Sequence, residues 1–169
     1  MRIRAAAVAL ACAASMARWA GPEPALRVFG ESGESGEPLA TMVVGDGFTL
    51  SFIHSINLSP VDEEFAVDDG SLLLRRMSFD QMSTGMPSGD EDGFAVEDGR
   101  FVTRPNRRYP EIAVRVSPVP GHVLSVGGRA RPLTDWAPVG GLLVLRASRR
   151  LAKDPVRKAG NPPEMAGDH

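Results

Sequence analysis

The sequence predicts an all-β fold, a small sandwich or open barrel of eight to ten short antiparallel strands. Three observations carry this expectation. Short runs alternate apolar and polar residues with the period of a half-buried strand. Asp-Gly recurs between them, at Asp69-Gly70, Asp92-Gly93 and Asp98-Gly99, and suits tight type I′ hairpin turns because both residues tolerate positive φ. A helical i, i+3, i+4, i+7 stripe is confined to the N-terminal leader and to Ala147–Lys158.

Taken in order, Leu26–Phe29 reads as a first strand, followed by a polar loop in which Glu-Ser-Gly repeats at Glu31 and Glu34. Leu39–Val44 is the next apolar run. Gly45-Asp46-Gly47 closes it, so that this strand and the one from Phe48 form an expected hairpin. Phe48, Leu50, Phe52 and Ile56 alternate toward His54 and Ser55, and Pro60 then imposes an extended or turn conformation. Beyond it, Phe65 and Val67 share one face of a strand and Glu64 and Ala66 the other. Further strands are expected at Leu72–Phe79, Phe94–Val96, Phe101–Thr103, Glu111–Val116, Val123–Val126, Arg129–Leu133 and Leu142–Arg146, with Gly127-Gly128 as another tight turn.

The ends read differently. Arg2 and Arg4 precede the small-apolar run Ala5–Ala14, and Ser15-Met16-Ala17 has the small residues of a cleavage site, so residues 1–20 read as an export signal or an uncleaved inner-membrane anchor. Cys12, the single cysteine, lies inside this leader and is a weak match to a lipoprotein site, so the rest of the chain has no disulfide and relies on a core. Residues 21–148 form the expected all-β domain, and residues 149–169 a basic, Pro/Gly-rich disordered tail. The expected compartment is the periplasm.

Charge is unevenly spread. Between Ala20 and Gly99 sixteen acidic residues stand against three arginines, a net of −13, whereas from Arg100 to His169 thirteen basic residues stand against five acids, a net of +8. Such polarity suits an acidic and a basic face, or solvated loops with a basic tail. Nucleic acid is not an expected partner.

The chemistry concentrates between Phe48 and Phe65. His54 is the candidate ligand or base, imidazole being the side-chain type suited to that role, and a carboxylate from Glu63 or Glu64 across the hairpin would orient it. Glu63 and Glu64 point to opposite faces, so at most one of them meets His54. Adjacent Ser55 faces away from His54 and no nucleophile elbow is present, which argues against a serine hydrolase. A His54–Glu63–His122 metal site lacks any short ligand spacing, and Ser88, Asp90 and Asp92 begin a calcium loop whose last acidic position is occupied by Gly99. Neither metal nor cofactor is expected. Arg104, Arg107 and Arg108 with Tyr109 read as a solvated basic loop able to hold an anion.

His54-Ser55-Ile56 followed by Pro60-Val61-Asp62-Glu63-Glu64-Phe65 resembles a bacterial family known only as domain of unknown function 1850. The likeness extends through Gly70–Leu74, Ser78-Phe79, the turn Thr84-Gly85-Met86-Pro87, and Gly121–Leu124 with Gly127-Gly128. Ser83 and Phe65 depart from it, standing where a glycine and a tryptophan are usual. The resemblance implies a small extracytoplasmic accessory protein of tripartite ATP-independent periplasmic (TRAP) transporters that use a TAXI solute-binding protein. Its partners would be the transporter membrane subunit or that binding protein. It brings no catalytic residues, so His54, Ser55, Glu63, Glu64, Gly85 and Met86 stand as binding candidates. The competing expectation is a small ligand- or metal-dependent enzyme built on His54 with Glu63 or Glu64.

Overall fold

The computed structural model describes residues 22–31, 36–82 and 92–150, without the side chain of Arg150. Two antiparallel sheets pack face to face as an open sandwich, and they do not close into a barrel. The smaller sheet has the order β2-β1-β12-β9, from β1 (Glu23–Phe29), β2 (Ala40–Val43), β9 (Glu111–Arg115) and β12 (Leu142–Arg150). The larger contains β3 (Phe48–Ile53), β4 (Pro60–Asp68), β5 (Ser71–Phe79), β6 (Ala95–Glu97), β7 (Arg100–Thr103), β8 (Arg107–Tyr109), β10 (Val123–Val126) and β11 (Arg129–Pro132). Its order is β11-β10-β3-β4-β5-β7-β6, with β8 also pairing β5.

Alternation decides what lies between the sheets. Leu26, Val28, Leu143 and Leu145 of the smaller sheet face Phe48, Leu50, Phe65, Leu72, Leu74 and Leu124 of the larger, all buried in one cluster. Phe48 and Phe65 are directly paired across β3 and β4, and their rings stack at 5.1 Å. Two of the three expected Asp-Gly turns form: Asp69 and Gly70 join β4 to β5, and Asp98 and Gly99 join β6 to β7, all four with positive φ, whereas at Asp92-Gly93 only Gly93 has positive φ and residues 83–91 before it lie outside the described residues.

Three expectations are corrected. The turn at Gly45–Gly47 does not close a hairpin, because β2 pairs with β1 while β3 pairs with β4 and β10. The turn instead carries the chain from one sheet to the other, with Val44 and Phe48 both buried at its ends. Residues 107–109 form a strand rather than a loop, since their backbone completes the edge of β5 opposite Leu72–Leu74. Ala147–Arg150 continues β12 in register with Leu26–Glu23 instead of turning helical, Ala147 packing on the core opposite Leu26. The remainder of the expected helix and tail, and the leader with Cys12, lie outside the described residues.

The charge asymmetry has a structural account in these sheets. Arginines of the basic half pair with carboxylates of the acidic half: Arg100 with Asp62 and Asp80, Arg104 with Glu97, Arg107 with Asp92, and Arg108 with Asp68. At these points the two halves neutralise one another, and the expected anion-holding cluster is already engaged by carboxylates.

Candidate functional site

The sequence-predicted residues separate into two places. His54 follows β3 directly and organises the turn to β4. Its backbone N–H donates to the Ser59 carbonyl at 2.9 Å, and its carbonyl accepts from Leu58 at 2.9 Å. Its ring Nδ1 lies 3.4 Å from the Ile56 N–H. Asn57 adds a second set of bonds, accepting from the Ser59 hydroxyl at 2.9 Å and donating to the Gln81 carbonyl at 3.3 Å. Leu58 is held at φ 53°, a conformation costly for a branched side chain and maintained only where surroundings dictate it. Ser55 is exposed on this turn.

Glu63 and Glu64 behave as neighbours on a strand must. Glu64 lies on the outer face, where Arg76 donates to it at 2.6 Å and also reaches Glu97. Beside it, Asp62 accepts from Ser51 and from Arg100, each at 2.6 Å. Burial alone would raise the Asp62 carboxyl, but those two hydrogen bonds and the charges of Arg100 and Arg76 together hold it below the usual range. Removing Arg100 leaves Asp62 and Asp80 without it; Arg100→Gln is expected to cost about 1 kcal/mol, read by urea denaturation near neutral pH. No loss at all would mean that the outer face is held by backbone pairing alone.

Glu63 points the other way. It pairs with Leu50, in line with Val61 and Phe65, and so occupies the parity of β4 that faces the core. Its carboxyl lines a cavity of about 310 Å³ with Phe65, Leu74, Tyr109, Glu111, Ile112 and Ala113. Burial pushes the Glu63 carboxyl up to about 7, with no compensating hydrogen bond or charge. Among the described residues it has no hydrogen-bond or ion-pair partner, whereas Glu111 accepts from Arg146 at 2.8 Å.

His54 and Glu63 are therefore not brought together. Glu63 stands opposite Leu50, and His54 lies four residues further along, about 13 Å at the rise of a strand. His122 packs its ring on Phe52 at 5.4 Å, and burial lowers its pKa. No group of three metal-ligating side chains occurs among the described residues. Gly85 and Met86, with the expected calcium-loop residues Ser88 and Asp90, lie outside the described residues.

Tyr109, Glu111 and Ile112 are site residues that strand reading does not single out. They come together because the chain crosses at Pro110 from β8 in one sheet to β9 in the other, placing its two flanking residues at the cavity. One local signal exists for Glu63 itself: an acid in the same parity as Val61 and Phe65.

Residues 48–133 match the family described as Domain of unknown function (DUF1850). The chain belongs to this family. The DUF1850 stretch spans β3 to β11 and includes the His54 turn and every cavity residue, while β1, β2 and β12 of the smaller sheet lie outside it. No curated protein and no solved structure matches the chain significantly.

Proposed function

We propose that this DUF1850 protein is a non-enzymatic, extracytoplasmic accessory protein of a TAXI-type TRAP transporter. In this reading it docks on the membrane subunit or on the solute-binding protein through the turn between β3 and β4. The observation that carries docking is the tip of that turn. Ile56 is 68% exposed and Leu58 67% exposed, although both sit on a backbone pinned by His54, Asn57 and Ser59. Large apolar side chains held rigidly in water lose little conformational freedom when a partner covers them, which favours association.

The neighbouring segments extend the same surface. The Ile53 N–H donates to the Pro120 carbonyl at 2.7 Å, bringing up a loop whose Val119 is 58% exposed, and the bond from Asn57 to Gln81 brings Met82 close by. The transporter class rests on the expectation attached to the family resemblance, and the compartment on the basic and apolar leader at residues 1–20.

The test is a pull-down of tagged protein from envelope extracts, wild type beside an Ile56→Asp, Leu58→Asp double variant, with partners identified by mass spectrometry. Transporter subunits should co-purify with the wild type and drop at least about tenfold with the variant, two charges replacing two apolar contacts at the centre of the surface. The variant should melt within a few degrees of wild type, because neither side chain is buried. Equal capture by both proteins, or none by the wild type, would overturn the docking assignment.

A further inference from the structure

We propose that the cavity between the sheets is a binding site for a small organic ammonium ion, with the Glu63 carboxylate as its counter-ion. The proposal stands independently of the docking surface, which is built from a different segment of the chain.

Geometry supports a site rather than a packing gap. The cavity lies where β8 leaves the larger sheet for β9, the edge strand of the smaller one, so the sandwich is open at this point. The ladder between β4 and β5 shifts register between Glu64 and Phe65, leaving Arg75 as an extra residue on β5. Such bulges re-aim neighbouring side chains and recur beside sites. With a volume of about 310 Å³, the cavity has room for on the order of ten non-hydrogen atoms at roughly 30 Å³ each.

The lining selects the chemistry. Phe65, Leu74, Ile112 and the Tyr109 ring, set edge-on to Phe65 at 6.5 Å, form apolar and aromatic walls suited to an aliphatic body. Of the two carboxylates, Glu111 is neutralised by Arg146, and Glu63 has no partner among the described residues. A ligand carboxylate would meet like charge there, and a neutral apolar guest would leave Glu63 desolvated and unpaired. An ammonium group supplies the missing charge and the missing donors. The raised Glu63 pKa is consistent with this arrangement, since a carboxylate that awaits an external cation has no internal partner to hold it low. A metal ion is a poorer fit, because a single free carboxylate is too few ligands.

The experiment is titration of the full-length protein with n-butylammonium chloride, n-butanol and sodium butyrate near pH 8, followed by calorimetry and by the methyl NMR signals of Leu74 and Ile112. Butylammonium should bind saturably and shift those signals. Butanol should bind at least about tenfold more weakly, and butyrate not at all. Glu63→Gln keeps the shape and should weaken butylammonium by about tenfold or more while leaving butanol unchanged. Butanol or butyrate binding as tightly as butylammonium, unchanged affinity in Glu63→Gln, or no saturable shift with butylammonium would overturn the assignment.

Discussion

Gly47→Ala is expected to destabilise the protein by about 2–5 kcal/mol, a large share of the total stability of a domain this size. Gly47 sits at φ 141°, where side chains are strained, and a Cβ there would lie 2.0 Å from the Phe65 carbonyl oxygen. That oxygen belongs to the backbone of β4, paired on both sides in the middle of the larger sheet, so it has little freedom to retreat. Moving it would also disturb the Phe48–Phe65 stack, which the core is built around. Gly45 is the matched control. It too has positive φ, 52°, but a Cβ there meets nothing within 4 Å, so Gly45→Ala should cost only about 1 kcal/mol. Urea denaturation of the three proteins decides it, and equal midpoints for the two variants would show that the close approach of Gly47 to β4 has no energetic weight.

Glu63→Gln is expected to stabilise the protein at alkaline pH and to leave it nearly unchanged in acid. Burial raises the Glu63 carboxyl from 4.5 to about 7, so between these values the folded state holds a proton that the unfolded state has released. The stability associated with protonated Glu63 is fully present below about pH 4.5 and is lost as pH rises through about 7. The shift corresponds to roughly 3 kcal/mol at most by pH 8. Glutamine carries no charge to desolvate, so the variant escapes that loss. The difference between variant and wild type isolates Glu63 from Asp62 and Glu97, whose lowered values push stability the other way as pH falls. Denaturation of both proteins at about pH 5 and about pH 8 is the measurement. A difference that does not grow with pH would place Glu63 in water rather than in the cavity. The same substitution that stabilises the fold should abolish the selectivity for ammonium, the pairing expected when a residue is kept for binding at a cost in stability.

Much of the architecture was legible in the residues. The strand at Leu72–Phe79, the hairpins at Asp69-Gly70 and Asp98-Gly99, and the return at Gly127-Gly128 follow from period-two alternation and from turn residues that accept positive φ. The opposite faces of Glu63 and Glu64 were equally legible, since neighbours on a strand diverge. The site was legible only in part. His54 is chemically distinctive in the sequence, but its backbone bonds make it the organiser of a turn that exposes Ile56 and Leu58, and the sequence does not distinguish an apolar residue in a core from one left exposed.

The sequence by itself determined the fold class, most strand positions, the tight turns and the inward parity of Glu63, because each depends on residues within a few positions of one another. Tertiary structure alone decided which sheet each strand joined. It sent the chain from β2 across to β3 instead of back along β2, set arginines of the basic half against carboxylates of the acidic half, and brought Tyr109, Glu111 and Ile112 to Glu63 at the crossing between the sheets. Those outcomes depend on pairings between residues far apart in the chain, where the burial of two faces against each other outweighs any local preference. Glu63 shows the division most clearly: alternation turns it inward, and only the packing of a second sheet over it makes a carboxylate without a partner among the described residues.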